Sequence, residues 1–104
     1  MKKSLIMMAA LLVSVAASAA GVAPQELAKQ KNCLACHALD HKVVGPAYKD
    51  VAAKYAGDKG AAAKLAAKIQ AGGSGVWGPV PMPPNTTVNA EEAKELAAWV
   101  LTVK

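Results

Sequence analysis

The chain has no arginine: its twelve basic side chains are all lysines, set against seven carboxylates for a formal net charge of +5. Nucleic-acid surfaces favour arginine with interleaved aromatics, so no nucleic-acid partner is expected. Nowhere do apolar and polar residues alternate as in a strand, and no internal repeat is visible, which argues against a sheet and against a repeat array. Long apolar runs are scarce as well. The one that stands out, Leu5 to Val15, falls short of the roughly 20 residues that a membrane span needs. With no second such run, no membrane span is expected.

That single run has a different anatomy. Met1-Lys2-Lys3 is a basic start, and Ala17-Ser18-Ala19-Ala20 is a small-residue region behind the apolar stretch. This is the pattern of a secretory signal peptide. Residues 1–20 are therefore expected to be removed, with cleavage after Ala19 or Ala20, and residues 21–104 to work outside the cytoplasm. The mature chain is roughly 84 residues, one small domain. A core of that size is marginal without a disulfide, a metal or a cofactor. Without Lys2 and Lys3, ten lysines face seven carboxylates, an excess of +3. Such an excess suits transient steering toward an acidic patch on a partner.

Both cysteines of the protein lie in one stretch, Cys33-Leu34-Ala35-Cys36-His37. C-x-x-C-H is the signature of covalent haem attachment. Two thiols three residues apart can reach the two vinyl-derived carbons on one porphyrin edge, and His37 then falls beneath the iron as proximal ligand. A disulfide across two intervening residues is the competing use of the pair, but such disulfides are mostly redox-active. Haem thioethers consume both sulfurs and supply the missing core.

Helical periodicity organises the rest. Pro24 suits the first position of a helix and Glu26 its first turn. Leu27, Ala28 and Lys31 carry that helix to Asn32. Tyr48, Val51, Ala52 and Tyr55 recur at one-face spacing, with Gly57 as a stop. Asp58 is the expected cap of a third helix carrying Ala62, Leu65, Ala66 and Ile69. Asn89 with Glu92 three residues on forms a capping-box pattern ahead of Ala93, Leu96, Ala97, Val100 and Leu101, flanked by Trp99. Between Gly72 and Val88 lies a Gly- and Pro-rich segment without periodicity, longer than the roughly 12–15 residues beyond which loops in compact domains are usually functional or disordered. Val76, Trp77, Val80 and Met82 make it too apolar for a linker. The expectation is an all-α domain of about four helices with one long ordered loop.

A six-coordinate haem needs a second axial group. Met82 is the only methionine of the mature chain, held in the stiff run Pro81-Met82-Pro83-Pro84. Prolines fix φ and restrict the unfolded chain, so the loop can hold a weak thioether on iron. The spare histidine, His41, lies four residues beyond His37 and is expected to be an exposed loop residue. A His/Met pair leaves no open site for oxygen, peroxide or nitrite, and points to transfer of one electron. The Pro46 carbonyl lies close enough to accept the second imidazole N–H of His37. The indole N–H of Trp77 wants a partner when buried, and a haem propionate is a natural acceptor.

With these residues in view, the chain resembles the small bacterial class I c-type cytochromes of the five-fifty-one/five-fifty-two type. The match runs from Glu26-Leu27-Ala28 to Trp99-Val100-Leu101. Its most specific parts are Cys33-x-x-Cys36-His37, Val44-Gly45-Pro46-Ala47, Gly75-Val76-Trp77-Gly78 and Pro81-Met82-Pro83-Pro84-Asn85. The resemblance implies the class I cytochrome c fold around one covalent haem c. It implies Cys33 and Cys36 as attachment points, His37 and Met82 as axial ligands, and Pro46 as the partner of His37. It further implies Trp77 at a propionate, Asn85 hydrogen-bonding near the Met82 sulfur, and packing of the first helix on the last through Leu27, Leu96 and Trp99. Some members carry arginine where Lys68 stands, near a propionate; a lysine there is a point charge rather than a planar fork. Members shuttle electrons in the periplasm, commonly from a cytochrome complex to a nitrite reductase, terminal oxidase or peroxidase. A monomer is expected, meeting its partners loosely at the thioether edge of the haem, rimmed by apolar residues and lysines such as Lys31 and Lys42.

Two rivals remain open at this stage. A thiol–disulfide enzyme would also use Cys33 and Cys36, but in a βαβ context. A gas sensor or peroxidase would leave the iron without Met82.

Overall fold

A computed structural model describes residues 22–104; the expected signal peptide, residues 1–20, lies outside them. The described residues form four α-helices and one short 3-10 turn: α1 (Pro24–Gln30), the turn Cys33–Ala35, α2 (Tyr48–Lys54), α3 (Ala61–Ala71) and α4 (Ala90–Val100). Among the described residues there is no strand, only two isolated antiparallel bridges, His37 with Lys42 and Gly73 with Met82. No described helix is long and apolar enough to cross a membrane.

Each helix starts and stops for a local reason. Pro24 opens α1 and Glu26 sits in its first turn, where the fixed φ and the negative charge both suit a helix start. The chain then does not run straight into the cysteines. Asn32 adopts a left-handed conformation, φ 62°, a turn that asparagine tolerates better than most side chains. The 3-10 turn begins only after it.

The entry to α3 differs from expectation. Gly60, not Asp58, is its N-cap. Asp58 acts from outside the helix, accepting from the Gly60 amide at 2.8 Å through Oδ1 and from Lys64 Nζ at 2.8 Å through Oδ2. The buried side of α3 includes Ala61 and Ala66, whereas Ala62 is exposed. At the start of α4 the capping box forms as expected: the Glu92 amide donates to Asn89 Oδ1 at 2.8 Å, and the Asn89 amide to Glu92 Oε1 at 3.1 Å. Leu101 lies just past the helix and is partly buried.

The core is where α1 and α3 pack on α4. Leu27 and Ala28 of α1 meet Ala93, Leu96 and Ala97, with Ala66 and the loop residue Val88 closing the cluster. Four of the helical residues are alanines, so the backbones approach closely and the interior stays dense. A second cluster joins Tyr48 and Val51 of α2 to Val100 of α4. Cys33, Leu34, Leu65 and Trp99 pack against both clusters. The cysteine motif thus sits at the junction of the two halves of the core, on the wall of a cleft.

Candidate functional site

The helices and the long loop border a cleft of about 1050 Å³, part of it continuous with solvent. Its walls are mostly apolar, from Val51, Leu65, Ile69, Leu96 and Val100 on the helices to Val76 and Val80 on the long loop. Into it come Cys33, Cys36, His37 and Met82, residues separated by up to more than half the described chain.

The 3-10 turn brings the motif together. The amides of Cys36 and His37 both donate to the Cys33 carbonyl, at 3.2 and 3.0 Å. Both cysteines are half-buried, and burial pushes the Cys33 thiol up from its ordinary range. The chain then folds back, with the amides of Val44 and Gly45 donating to the Cys36 carbonyl at 3.1 and 2.7 Å. That return carries Pro46 to His37: imidazole Nδ1 lies 2.8 Å from the Pro46 carbonyl oxygen. A carbonyl only accepts, so Nδ1 carries the proton and Nε2 is left with its lone pair, as a metal ligand must be. Gly45 makes room for the ring, because a Cβ there would lie 2.5 Å from Cε1 and 2.8 Å from Nδ1 of His37.

Met82 is held by its backbone. Its amide donates to the Gly73 carbonyl at 2.8 Å, and the Gly73 amide returns to the Met82 carbonyl at 2.9 Å. Just before this bridge the end of α3 turns at Gly72, φ 70°, where a Cβ would run into the Met82 carbonyl and the Pro83–Pro84 backbone. Asn85 closes the neck of the loop. Its amide N–H and its side-chain Nδ2 both donate to the Ile69 carbonyl, at 3.2 Å and 2.8 Å.

The remaining candidates fall around the mouth. Trp77 lines the cleft while 43% exposed, and Lys54 Nζ of α2 stands 5.3 Å from its ring centroid. Lys68 also lines the cleft; Gly73 leaves room for its Nζ, which a Cβ would approach to 2.8 Å. His41 is exposed and pairs with Asp40 at 2.8 Å, away from the cleft lining. Lys31 corrects an expectation. Rather than a free charge at the rim, it donates to the Thr87 carbonyl at 2.8 Å and pairs with Glu92 at 3.5 Å, its side chain only 22% exposed. Sequence reasoning missed Tyr48 as a site residue. The one available signal was an aromatic two residues beyond Pro46 on the buried face of α2.

Among the described residues no cluster of three or more His, Cys, Asp or Glu side chains could hold a bare metal ion. The donor set is instead one imidazole, one thioether and two thiols, in an apolar cleft with two lysines and an indole at its mouth. That chemistry fits a flat apolar macrocycle with an iron centre and carboxylate tails. An all-helical domain built around such a cleft is a c-type haem protein.

Comparison with known proteins gives the family. The Cytochrome c family model matches residues 22–104, and the chain belongs to that family. It is 62% identical over 81 residues to cytochrome c-551 of Pseudomonas aeruginosa, covering 78% of this chain and 77% of that one. It is 56% identical to cytochrome c-551 of Stutzerimonas stutzeri over 105 residues and the full length of both. The crystal structure of wild-type Nitrosomonas europaea cytochrome c552 superposes with a TM-score of 0.75 at 59% identity, covering 77% of this chain and 99% of that one. The protein is thus a small cytochrome c, an electron carrier with covalently bound haem c.

Proposed function

We propose that the protein carries single electrons in the periplasm through a haem fixed by thioethers to Cys33 and Cys36 and ligated by His37 and Met82. The observation that carries this reading is the meeting of His37, its Nδ1 committed to Pro46, and Met82, clamped at both backbone groups, in the cleft that holds both cysteines. When bound, the haem supplies a one-electron couple, which a His/Met pair favours at raised potential. The chain's own part is to hold. Pro46 keeps the imidazole in the ligating tautomer, and the Gly73 bridge keeps Met82 from swinging away in either oxidation state. A haem held by both His37 and Met82 would leave small oxidants no open coordination site, which suits a carrier rather than an enzyme.

Trp77 is assigned to a propionate and Asn85 to the setting of Met82. Residues 1–20 are the export signal and residues 21–104 the working domain. Val44, Val76 and Val80 leave an exposed apolar rim on the cleft, suited to brief contacts with a cytochrome complex as donor and a nitrite reductase, oxidase or peroxidase as acceptor. Redox encounters of this kind bury little surface.

Two measurements on the purified, exported protein test the reading. The haem should stay with the chain after unfolding and extraction; release of the haem, or a Cys33–Cys36 disulfide, would overturn it. The reduced protein should bind carbon monoxide weakly or not at all. Rapid, tight binding would mean that Met82 is not a firm ligand.

A further inference from the structure

We propose that Tyr48 is a positioning residue that sets the plane of the His37 imidazole. The two rings stack, with centroids 4.8 Å apart and planes 20° from parallel. A single hydrogen bond to Pro46 does not fix that plane, because such bonds tolerate departures of about 30° from linearity. Gly45 clears space beside the ring but offers no wall. Tyr48 offers one, and it is itself held on two further sides. Trp99 of α4 meets it edge-on, with centroids 5.5 Å apart and planes at 78°. Cys33 packs against the cluster that Tyr48 forms with Val51 and Val100. One side chain therefore packs between the imidazole, the cysteine motif and the last helix.

The plane matters because an imidazole mixes with the iron orbitals through its π system, whose direction follows the ring. The inference rests on His37 being an iron ligand, and the test separates the two claims. In the ferric protein, excess cyanide replaces Met82 with a ligand that is symmetric about its axis. The spread and order of the four haem ring-methyl proton shifts then report the imidazole plane alone. Tyr48→Phe, which keeps the stack, should preserve the wild-type order and spread. Tyr48→Leu, which removes it, should change the order or narrow the spread while the haem stays low-spin. Wild-type shifts in Tyr48→Leu would overturn the proposal and leave the ligation untouched. Failure to find hyperfine-shifted His37 ring protons in the wild-type adduct would overturn the ligation, and the proposal with it. If Tyr48→Leu does not fold, nuclear Overhauser contacts between the Tyr48 and His37 rings of the wild-type protein decide: their presence supports the stack, and their absence overturns it.

Discussion

Gly45 shows how little freedom a single position beside His37 has. Its ordinary backbone conformation would admit other residues, but the His37 ring occupies the place of any Cβ. Gly45→Ala must displace the imidazole from Pro46 or move the loop, and overpacking of this kind costs about 1–3 kcal/mol. Guanidinium unfolding of the holoprotein should show a lower midpoint; an unchanged midpoint would mean that the loop yields freely. At this scale the sequence was informative where the chemistry is local. Cys33, Cys36 and His37 announce themselves because the whole motif lies within five consecutive residues, and Pro46 is reached by one short turn. Tyr48 was not legible, since its contacts with His37 and Trp99 exist only once α2 and α4 have packed. Asn85 was assigned through resemblance to the surroundings of Met82, and its amide is found on the Ile69 carbonyl, closing the loop that carries Met82.

Among the elements, apolar periodicity located all four helices because each buries one face. It was less exact at their edges. In the alanine-rich α3 the buried side includes Ala61 rather than Ala62, since neighbouring alanines give the pattern no contrast. The Asp58 displacement has the same local origin, two competing partners at Gly60 and Lys64. Lys64 holds the Asp58 carboxyl below its ordinary range, and Asp58 holds the Lys64 ammonium above its own. The aspartate contribution is therefore present above the unfolded carboxylate pKa and lost as pH falls through the lowered folded value. The lysine contribution is present below the ordinary lysine pKa and lost as pH rises through the raised one. Asp58→Asn should erase both dependences in a pH series of thermal melts and leave the haem spectrum unchanged. Lys31 joins the end of α1 to the approach to α4 through Thr87 and Glu92. Lys31→Met should cost about 1 kcal/mol, as a partly buried, charge-assisted contact does. Denaturant titration would read it, and no loss would mark the pairing as incidental.

For the whole molecule, the all-lysine surface carries the electrostatic reading, and the structure divides that surface. Lys42 is exposed beside the His37 bridge, whereas Lys31 is committed to the fold. Lys42→Glu should slow association with an acidic redox partner at low salt, with the effect fading as salt is added. An unchanged rate in stopped-flow mixing would leave Lys42 an ordinary solvated residue.

The central claim is a haem iron closed on one side by His37 and on the other by Met82, and Met82→Ala tests it most directly. The variant should lose the low-spin spectrum of the wild type and, when reduced, bind carbon monoxide readily. A variant that keeps the wild-type low-spin spectrum and refuses carbon monoxide would contradict the assignment of Met82, and with it the closed site on which the carrier role depends.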